Sequence, residues 1–438
     1  MIILVHTAFR HDNVQHNLGQ PEYSYYFVLR EFLPLLEGFG HVIDIRDPEK
    51  EVDTIYRASQ QQGIPCIFLS FMPPNKTPIG LACPTVPVFA WEYSTLPNES
   101  FGNKPRNDWR RVLTYLGHAI THSTFAADAV RSQLGAHFPI LVAPAPLWNR
   151  MAARQEVSRQ TQAHVSHAHI NVEGLVIDSL LTDLTPYSMT ARRASAPTPL
   201  PLPKERQEGP SLLTLDGIVY TSVFNPGDGR KNWLDMIGAF CEAFRHATDA
   251  TLFMKLSHHD ISEIVPDMLE CLHKAGDFAC RVVIFQGYLP QEDYERLVDA
   301  TSYAVNCSHG EGQCLPLMEY MSCGKPAISP RHTAMDDYVD ESCAFIVKSS
   351  LVPGTWPHDQ RQAFRTLREQ VHFGSLVQAY RASHYVARHE PLTYACMAQA
   401  AIRSLQGYCS REAVGQPLRQ FLDRVAGRSL QPNKAMAP

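Results

Sequence analysis

Short runs of β-forming residues recur along most of this chain with helix-like stretches between them, and that alternation limits the fold more than any other feature. Over residues 1–145 the runs are IILVH, HVIDI, CIFLS, VPVFA, HAITHS and ILVAP, separated by stretches such as YYFVLREFLPLLEGFG. The pattern resumes at Gly217 with GIVYTSVF, ATLFMKL, RVVIFQGY, SYAVNCS and PAIS. Strands alternating with helices imply parallel sheets covered by helices. Two such blocks predict two Rossmann-like, doubly wound α/β domains, one over 1–145 and one over 211–355, facing a crevice. One helix can be checked residue by residue. After Lys231, residues Trp233, Met236, Ile237, Phe240, Cys241 and Phe244 form a single apolar stripe at helical spacing.

The rhythm breaks twice. Residues 146–210 read as an insertion holding HAHINVEGLVIDSLL, one or two strands, and then SAPTPLPLPKERQEGP, whose prolines forbid regular helix and predict an exposed linker. Residues 356–425 read as helices able to pack back on the first domain, and the polar segment 426–438 reads as a disordered tail.

The chain has 438 residues, enough for two or three domains. Its composition, 45% hydrophobic and 19% charged, is that of a globular protein. A formal net charge of −5 argues against nucleic acid as the main partner. Eleven scattered cysteines with no C-x-x-C spacing fit neither a disulfide framework nor a zinc site, and they point to a reducing compartment. MIILV is too short and lacks the basic flank of a signal peptide, and no run reaches the roughly 18 apolar residues of a membrane span. The expected location is cytoplasmic. The basic cluster NKPRNDWRR is either a solvated helix start or a peripheral contact with anionic lipid at the inner face of a membrane.

In open α/β sheets, ligands bind beyond the carboxyl ends of the strands. The loop after SYAVNCS, HGEGQCLP, opens a helix near Pro316 whose free N–H groups suit a phosphate. Glu311 and Glu319 do not align on one helix, because eight positions turn the chain by about 800°. Glu311 is therefore placed in the loop, as a binder of sugar hydroxyls, and Glu319 one turn into the helix, as a binder of a ribose diol. FNPGDGRKNW carries Arg230 and Lys231 to the start of the next helix, where positive charge is unfavourable unless an anion faces it. Lys255, near the end of a buried strand, needs either a phosphate or a salt bridge.

EGQCLPLMEYMSCGKPAIS resembles the E-x7-E segment of retaining glycosyltransferases of family 4, which have the GT-B fold. FQGYLPQEDYERLVDATSYAVNCS before it and HTAMDDYV after it resemble that family's flanking elements. The resemblance is specific over about residues 217–345 and looser over the first half. It implies transfer of a sugar from a nucleoside diphosphate sugar to a hydroxyl on a saccharide, glycolipid or glycoconjugate acceptor, in polysaccharide or glycoconjugate biosynthesis. It also implies front-face retention of configuration, with no permanently bound cofactor.

On the same basis, Lys231, Arg230 and Glu311 are the candidate catalytic residues. Glu311, Gly312, Gln313, Cys314, Leu315, Glu319, Lys255, Tyr288, Leu289 and Asn225 are candidates for holding the donor. In the first domain, Gly19 is the remnant of a glycine-rich turn. VFAWEYSTLP resembles the family's W-E motif, with Trp91 stacking on a sugar and Glu92 binding a hydroxyl, or else with both serving structure. No D-x-D pair is present, and neither HVSHAH nor SHHD has metal-site spacing, so no metal is expected. Two alternatives keep the fold: a non-catalytic nucleotide-sugar-binding subunit, or a phosphorylase or epimerase.

Overall fold

The computed structural model describes residues 1–10, 17–155, 166–188, 206–258, 260–357 and 359–428. The first domain begins with β1 (Ile2–His6), α1 (Ser24–Phe39), β2 (His41–Asp44), α2 (Pro48–Gln61), β3 (Cys66–Ser70) and β4 (Thr85–Phe89). It continues through α3 (Trp109–Leu116), β5 (Ala119–Thr121), α4 (Thr124–Leu134) and β6 (Ile140–Val142). The six strands form one sheet in the order β2-β1-β3-β4-β5-β6, and every pairing is parallel. Local chemistry sets the helix ends. The Ser123 side chain accepts from Ala126 N to cap α4, and Gly117, at φ 74°, closes α3. On α1, Tyr25, Val28, Leu29, Phe32 and Leu36 form the buried stripe.

After α5 (Trp148–Ala152) come β7 (Ser166–Asp178), β8 (Arg206–Phe224), α6 (Trp233–Ala243), β9 (Ala250–Leu256), α7 (Ile264–Lys274) and β10 (Arg281–Tyr288). Then follow α8 (Gln291–Ala300), β11 (Tyr303–Val305), α9 (Leu315–Ser322), β12 (Ala327–Pro330) and β13 (Ala344–Val347). The second sheet runs β13-β12-β11-β8-β7-β10-β9, with a further β8–β9 pairing. The last part of β8 lies parallel between β9 and β11, so the strand order reverses there. Such a reversal leaves a crevice beyond the strand ends, where the loops after β8, β9 and β11 converge.

Two sequence expectations are corrected. Residues 166–178 do not stand apart as an insertion. They form β7, which pairs antiparallel with both β8 and β10 and so widens the second sheet. Of the predicted proline-rich linker, 206–210 belong to β8, and the rest falls outside the described residues. Nor is the chain helical from Trp356. A hairpin of β14 (Ser349–Thr355) and β15 (Phe364–Val371) comes first, before α10 (Phe373–His389), α11 (Pro391–Cys409) and α12 (Arg411–Arg428). TLREQV is built largely of helix formers, but cross-strand pairing and docking on the first domain override that local preference. The segment from 429 onward, within the predicted tail, lies outside the described residues.

The hairpin and the last helix both fasten the C-terminal part of the chain to the first domain. Val414, Leu418, Phe421, Leu422 and Val425 of α12 join the core that contains Phe32 and Leu36. Ser94 Oγ accepts from Leu367 N at 3.0 Å, Thr95 Oγ1 donates to Arg365 O at 2.8 Å, and Trp356 Nε1 donates to Thr95 O at 3.2 Å. Trp356 is buried in the first domain's core and stacks on Phe101, with ring centroids 6.4 Å apart. Removing a buried Trp side chain costs about 3–5 kcal/mol. Trp356→Ala is therefore expected to lower the stability of the unfolding transition that includes the first domain by about that amount, measured by urea denaturation followed by tryptophan fluorescence.

Candidate active site

The loop after β8 carries the basic residues. Asp228 accepts from Arg230 N at 3.1 Å and caps a short 3-10 turn over Gly229–Lys231. Arg230 and Lys231 lie in this turn, ahead of the helix start at which the sequence places them. Asn232, left-handed at φ 52°, separates them from α6.

Both residues find carboxylates. Arg230 grips Asp228 with two parallel bonds, Nε to Oδ1 at 3.0 Å and Nη2 to Oδ2 at 2.6 Å, and its Nη1 pairs with Glu92 of the first domain. Burial opposes the Arg230 charge, but Glu92 and Asp228 outweigh it and hold the guanidinium firmly protonated. Burial also lifts the Glu92 carboxyl above its ordinary range, with Arg230 pulling the other way. Lys231 Nζ donates to Glu311 Oε1 at 2.6 Å, and Ser308 Oγ donates to the same oxygen at 2.5 Å. Burial would lower the Lys231 ammonium, yet Glu311 more than compensates and raises it. Lys231, Ser308 and Glu311 line a pocket with Cys314, Pro316 and Tyr320.

Helix α9 starts as Pro316 predicts, after Cys314 in the left-handed region at φ 63°. Glu319, one turn in, is already engaged. Arg150 Nη2 donates to its Oε1 at 2.6 Å, and Tyr294 Oη donates to its Oε2 at 2.6 Å. Arg150 also binds Glu31 on α1, with Nε at 3.1 Å from each carboxylate oxygen. One guanidinium thus joins α1 of the first domain to α9 of the second.

Several predicted donor residues link the two domains. Gln313 Oε1 accepts from Ala145 N at 2.5 Å, and a Cβ on Gly312 would lie 2.6 Å from the Ala90 Cβ. Gly312 therefore permits close approach of the domains. Asn225 Nδ2 donates to Gly19 O at 3.1 Å. Burial pushes the Cys314 thiol up, so it is no nucleophile at neutral pH. Leu315 is partly buried between the cores of the two domains. The Leu289 side chain is buried in the second domain's core, whereas Tyr288 stands 53% exposed.

Lys255 is 8% exposed and makes no hydrogen bond or ion pair with any described residue. Burial pulls its pKa down to about 8, and the Glu319 charge opposes that only in part. Among the described residues Lys255 has no salt bridge, and Glu319 is held by Arg150 and Tyr294.

On the first-domain side, Gly19 has φ 87°, and a Cβ there would come within 2.1 Å of the His258 ring. Trp91 is corrected from a sugar-stacking platform to a core residue. It is 2% exposed, its ring centroid is 4.5 Å from that of Trp109, and its Nε1 donates to Thr95 O at 3.0 Å. The sequence reading missed Tyr23. Burial raises its hydroxyl, and the charges of Lys231, Asp228 and Glu311 all reach it. It also missed Asp228, which pairs with Arg230 two residues on, and Arg150, since nothing local marks a partner 169 residues away. In the basic cluster, Arg106 donates to Thr77 O and Arg110 binds Asp108, so two of its cations have internal partners. Among the described residues there is no group of three His, Cys, Asp or Glu arranged to hold a metal, and no helix long and apolar enough to cross a membrane.

Two Rossmann-like domains facing a crevice, with the charged loops at the strand ends, are the GT-B fold of glycosyltransferases. Residues 236–368, less than a third of the chain, match the family model described as glycosyl transferases group 1. No curated protein sequence matches the chain. Among solved structures, sucrose-phosphate synthase from Thermosynechococcus elongatus aligns at TM-score 0.53 and 12% identity, over 98% of this chain and 99% of its own. Anabaena HepE in complex with UDP-glucose aligns at 0.55 and 12%, over 98% and 100%. A glycosyltransferase from Rickettsia africae aligns at 0.55 and 9%, over 97% and 98%. At these identities the likeness establishes the fold alone.

The Glu31–Arg150–Glu319 bridge yields a direct expectation. Removing the shared cation leaves two mostly buried carboxylates facing each other, which is more damaging than losing a surface pair. Arg150→Met should destabilise the chain by about 2–4 kcal/mol, whereas Arg150→Met with Glu31→Gln and Glu319→Gln should recover part of that loss. Chemical denaturation of the set measures both effects.

Proposed function

We propose that the chain is a retaining, metal-independent glycosyltransferase that moves a sugar from a nucleoside diphosphate donor to a hydroxyl on a saccharide, glycolipid or glycoconjugate. The observation that carries this reading is that Lys231 and Glu311, from the loops after β8 and β11, line one pocket beside the start of α9, while Lys255, at the end of β9 next to β8, is buried within reach of the Glu319 charge and has no side-chain partner among the described residues. An ammonium kept in a buried site without a counter-charge is costly, and an anion repays that cost. The similarity of residues 236–368 to glycosyl transferases group 1, and the UDP-glucose held by HepE, favour a nucleotide sugar as that anion.

In this reading the donor diphosphate lies between Lys231, Lys255 and the first turn of α9, whose N–H groups and dipole add to the positive field. Glu311 turns one oxygen to the donor sugar's hydroxyls. Arg150 and Tyr294 hold Glu319 from behind, and each of its oxygens keeps a lone pair for the ribose diol. Departure of the phosphate places negative charge where the two ammoniums already stand, which lowers the barrier without reorganisation. The leaving phosphate oxygen takes the acceptor proton on the same face, so configuration is retained. A phosphate that competes for Arg230 frees Glu92, which then faces the acceptor side of the crevice.

Two measurements test this. UDP release from UDP-glucose and related donors should fall roughly 10²–10³-fold in Lys231→Ala, the scale on which single groups that stabilise developing charge are felt. Unchanged release in both Lys231→Ala and Glu311→Gln would sink the assignment. The second test is pH. Because the folded pKa of Lys255, about 8, lies below that of an unfolded lysine, this group adds stability to the free protein as pH rises through about 8. Binding a phosphate requires the charged form, so UDP affinity should weaken over the same rise. Lys255→Met should bind UDP more weakly and lose this pH trend, as measured by calorimetric titration from pH 6.5 to 9.5.

A further inference from the structure

The hairpin that docks on the first domain carries three arginines, and their pairing differs. Arg361 binds Asp359 and Glu99, and Arg365 binds Glu99. Arg368 is half-buried and has no hydrogen bond or ion pair with any described residue. Side chains alternate along a strand, so Arg368 shares a face of β15 with Thr366. Thr366 is buried, and its Oγ1 lies 3.2 Å from Ser94 Oγ and 3.3 Å from Thr95 N. That face is turned towards the loop that follows Trp91 and Glu92. The charge of Arg368 reaches both Tyr93 of that loop and His309 of the loop after β11.

Two buried imidazoles lie beside it. His309 and His332 are each 7% exposed, and each has a ring nitrogen with no partner, Nδ1 of His309 and Nε2 of His332. Both flank Glu311. His309 is two residues before it, with its N–H donating to Arg230 O at 2.8 Å. The neighbour of His332, Thr333, accepts from Glu311 N at 3.1 Å. Burial and the Arg368 charge press His309 down to about 4, and burial lowers His332 although Glu369 and Glu311 oppose it. A buried polar nitrogen without a partner is costly, and in the tautomers that place N–H at His309 Nδ1 and His332 Nε2 the two rings beside the Arg368 guanidinium would suit an acceptor-rich group.

We propose that His309, His332 and Arg368 form a subsite for an anionic group, a carboxylate or a phosphate, on the acceptor saccharide. The proposal rests on the reading of the crevice as a nucleotide-sugar site, with the donor diphosphate on the Lys231 and Lys255 side of Glu311. The guanidinium presents a fork matched to either anion, and the neutral imidazoles add one N–H each from a buried position. The Glu369 side chain has no hydrogen bond or ion pair with any described residue, and its charge reaches His332.

Glucose, glucuronate and glucose 6-phosphate, titrated with and without saturating UDP and followed by ligand-observed NMR, test this. At least one of the two anionic sugars should bind about tenfold or more tightly than glucose, and which one does so separates carboxylate from phosphate. Arg368→Gln should abolish that preference and leave the UDP affinity unchanged, and His309→Asn should reduce it. Equal binding of all three sugars, or a preference that survives Arg368→Gln, overturns the subsite. If UDP does not bind but the Arg368-dependent preference remains, the nucleotide-sugar reading fails and the anion site stands.

Discussion

The absence of a side chain at Gly312 is the constraint on which the closed arrangement depends. A methyl group there would meet the Ala90 Cβ at 2.6 Å, so the loop after β11 can lie against the strand end of the first domain only as glycine. Around that contact the same loops make the polar links between domains. Arg230 reaches Glu92, Asn225 reaches Gly19 and Gln313 takes the Ala145 N–H. Elements that bear the candidate chemistry are therefore also those that join the domains. A ligand that competes for Arg230 or Glu319 acts on domain position as well, since a change of partner at either residue alters a cross-domain bond.

Charge pairing divides the crevice into occupied and unoccupied groups. Arg230, Lys231 and Arg150 are each matched with carboxylates at bonding distance. Such buried pairs add little net stability, because desolvation of both ions offsets their attraction, but losing one partner is expensive. Lys255 and Arg368 differ in that neither side chain has an ion pair or hydrogen bond among the described residues. One is deep at a strand end, and the other sits on a hairpin fixed to the first domain.

Much of the fold was legible because its signals are local. The strands of the first sheet, and β9, β10 and β12 of the second, lie within a residue or two of the β-rich runs, but β8 begins at Arg206, well before GIVYTSVF, and β13 has no counterpart among them; the Trp233 stripe lies on the buried face of α6, and Pro316 marks the start of α9. The misreadings share a cause. TLREQV looks helical until its pairing with SSLVPGT is known, and HAHINVEGLVIDSLL looks like an insertion until β10 is seen beside it. Trp91 reads equally well as an exposed platform or a core ring, and only the position of Trp109 decides between them.

The sequence by itself determined which residue types stand at the strand ends. Glu311 lies in a glycine-flanked loop, Glu319 one helical turn in, two adjacent cations follow β8, and a lysine sits at the end of a buried strand. These follow from spacing, turn chemistry and helix-start preferences, which act over a few residues. Tertiary structure alone decided what those residues hold. Arg150 claims Glu319 from 169 positions away, Thr366 docks beside Ser94 from 272 away, and the Lys255 side chain finds no partner among the described residues. Pairings of that range depend on how whole domains pack, and no short pattern encodes them.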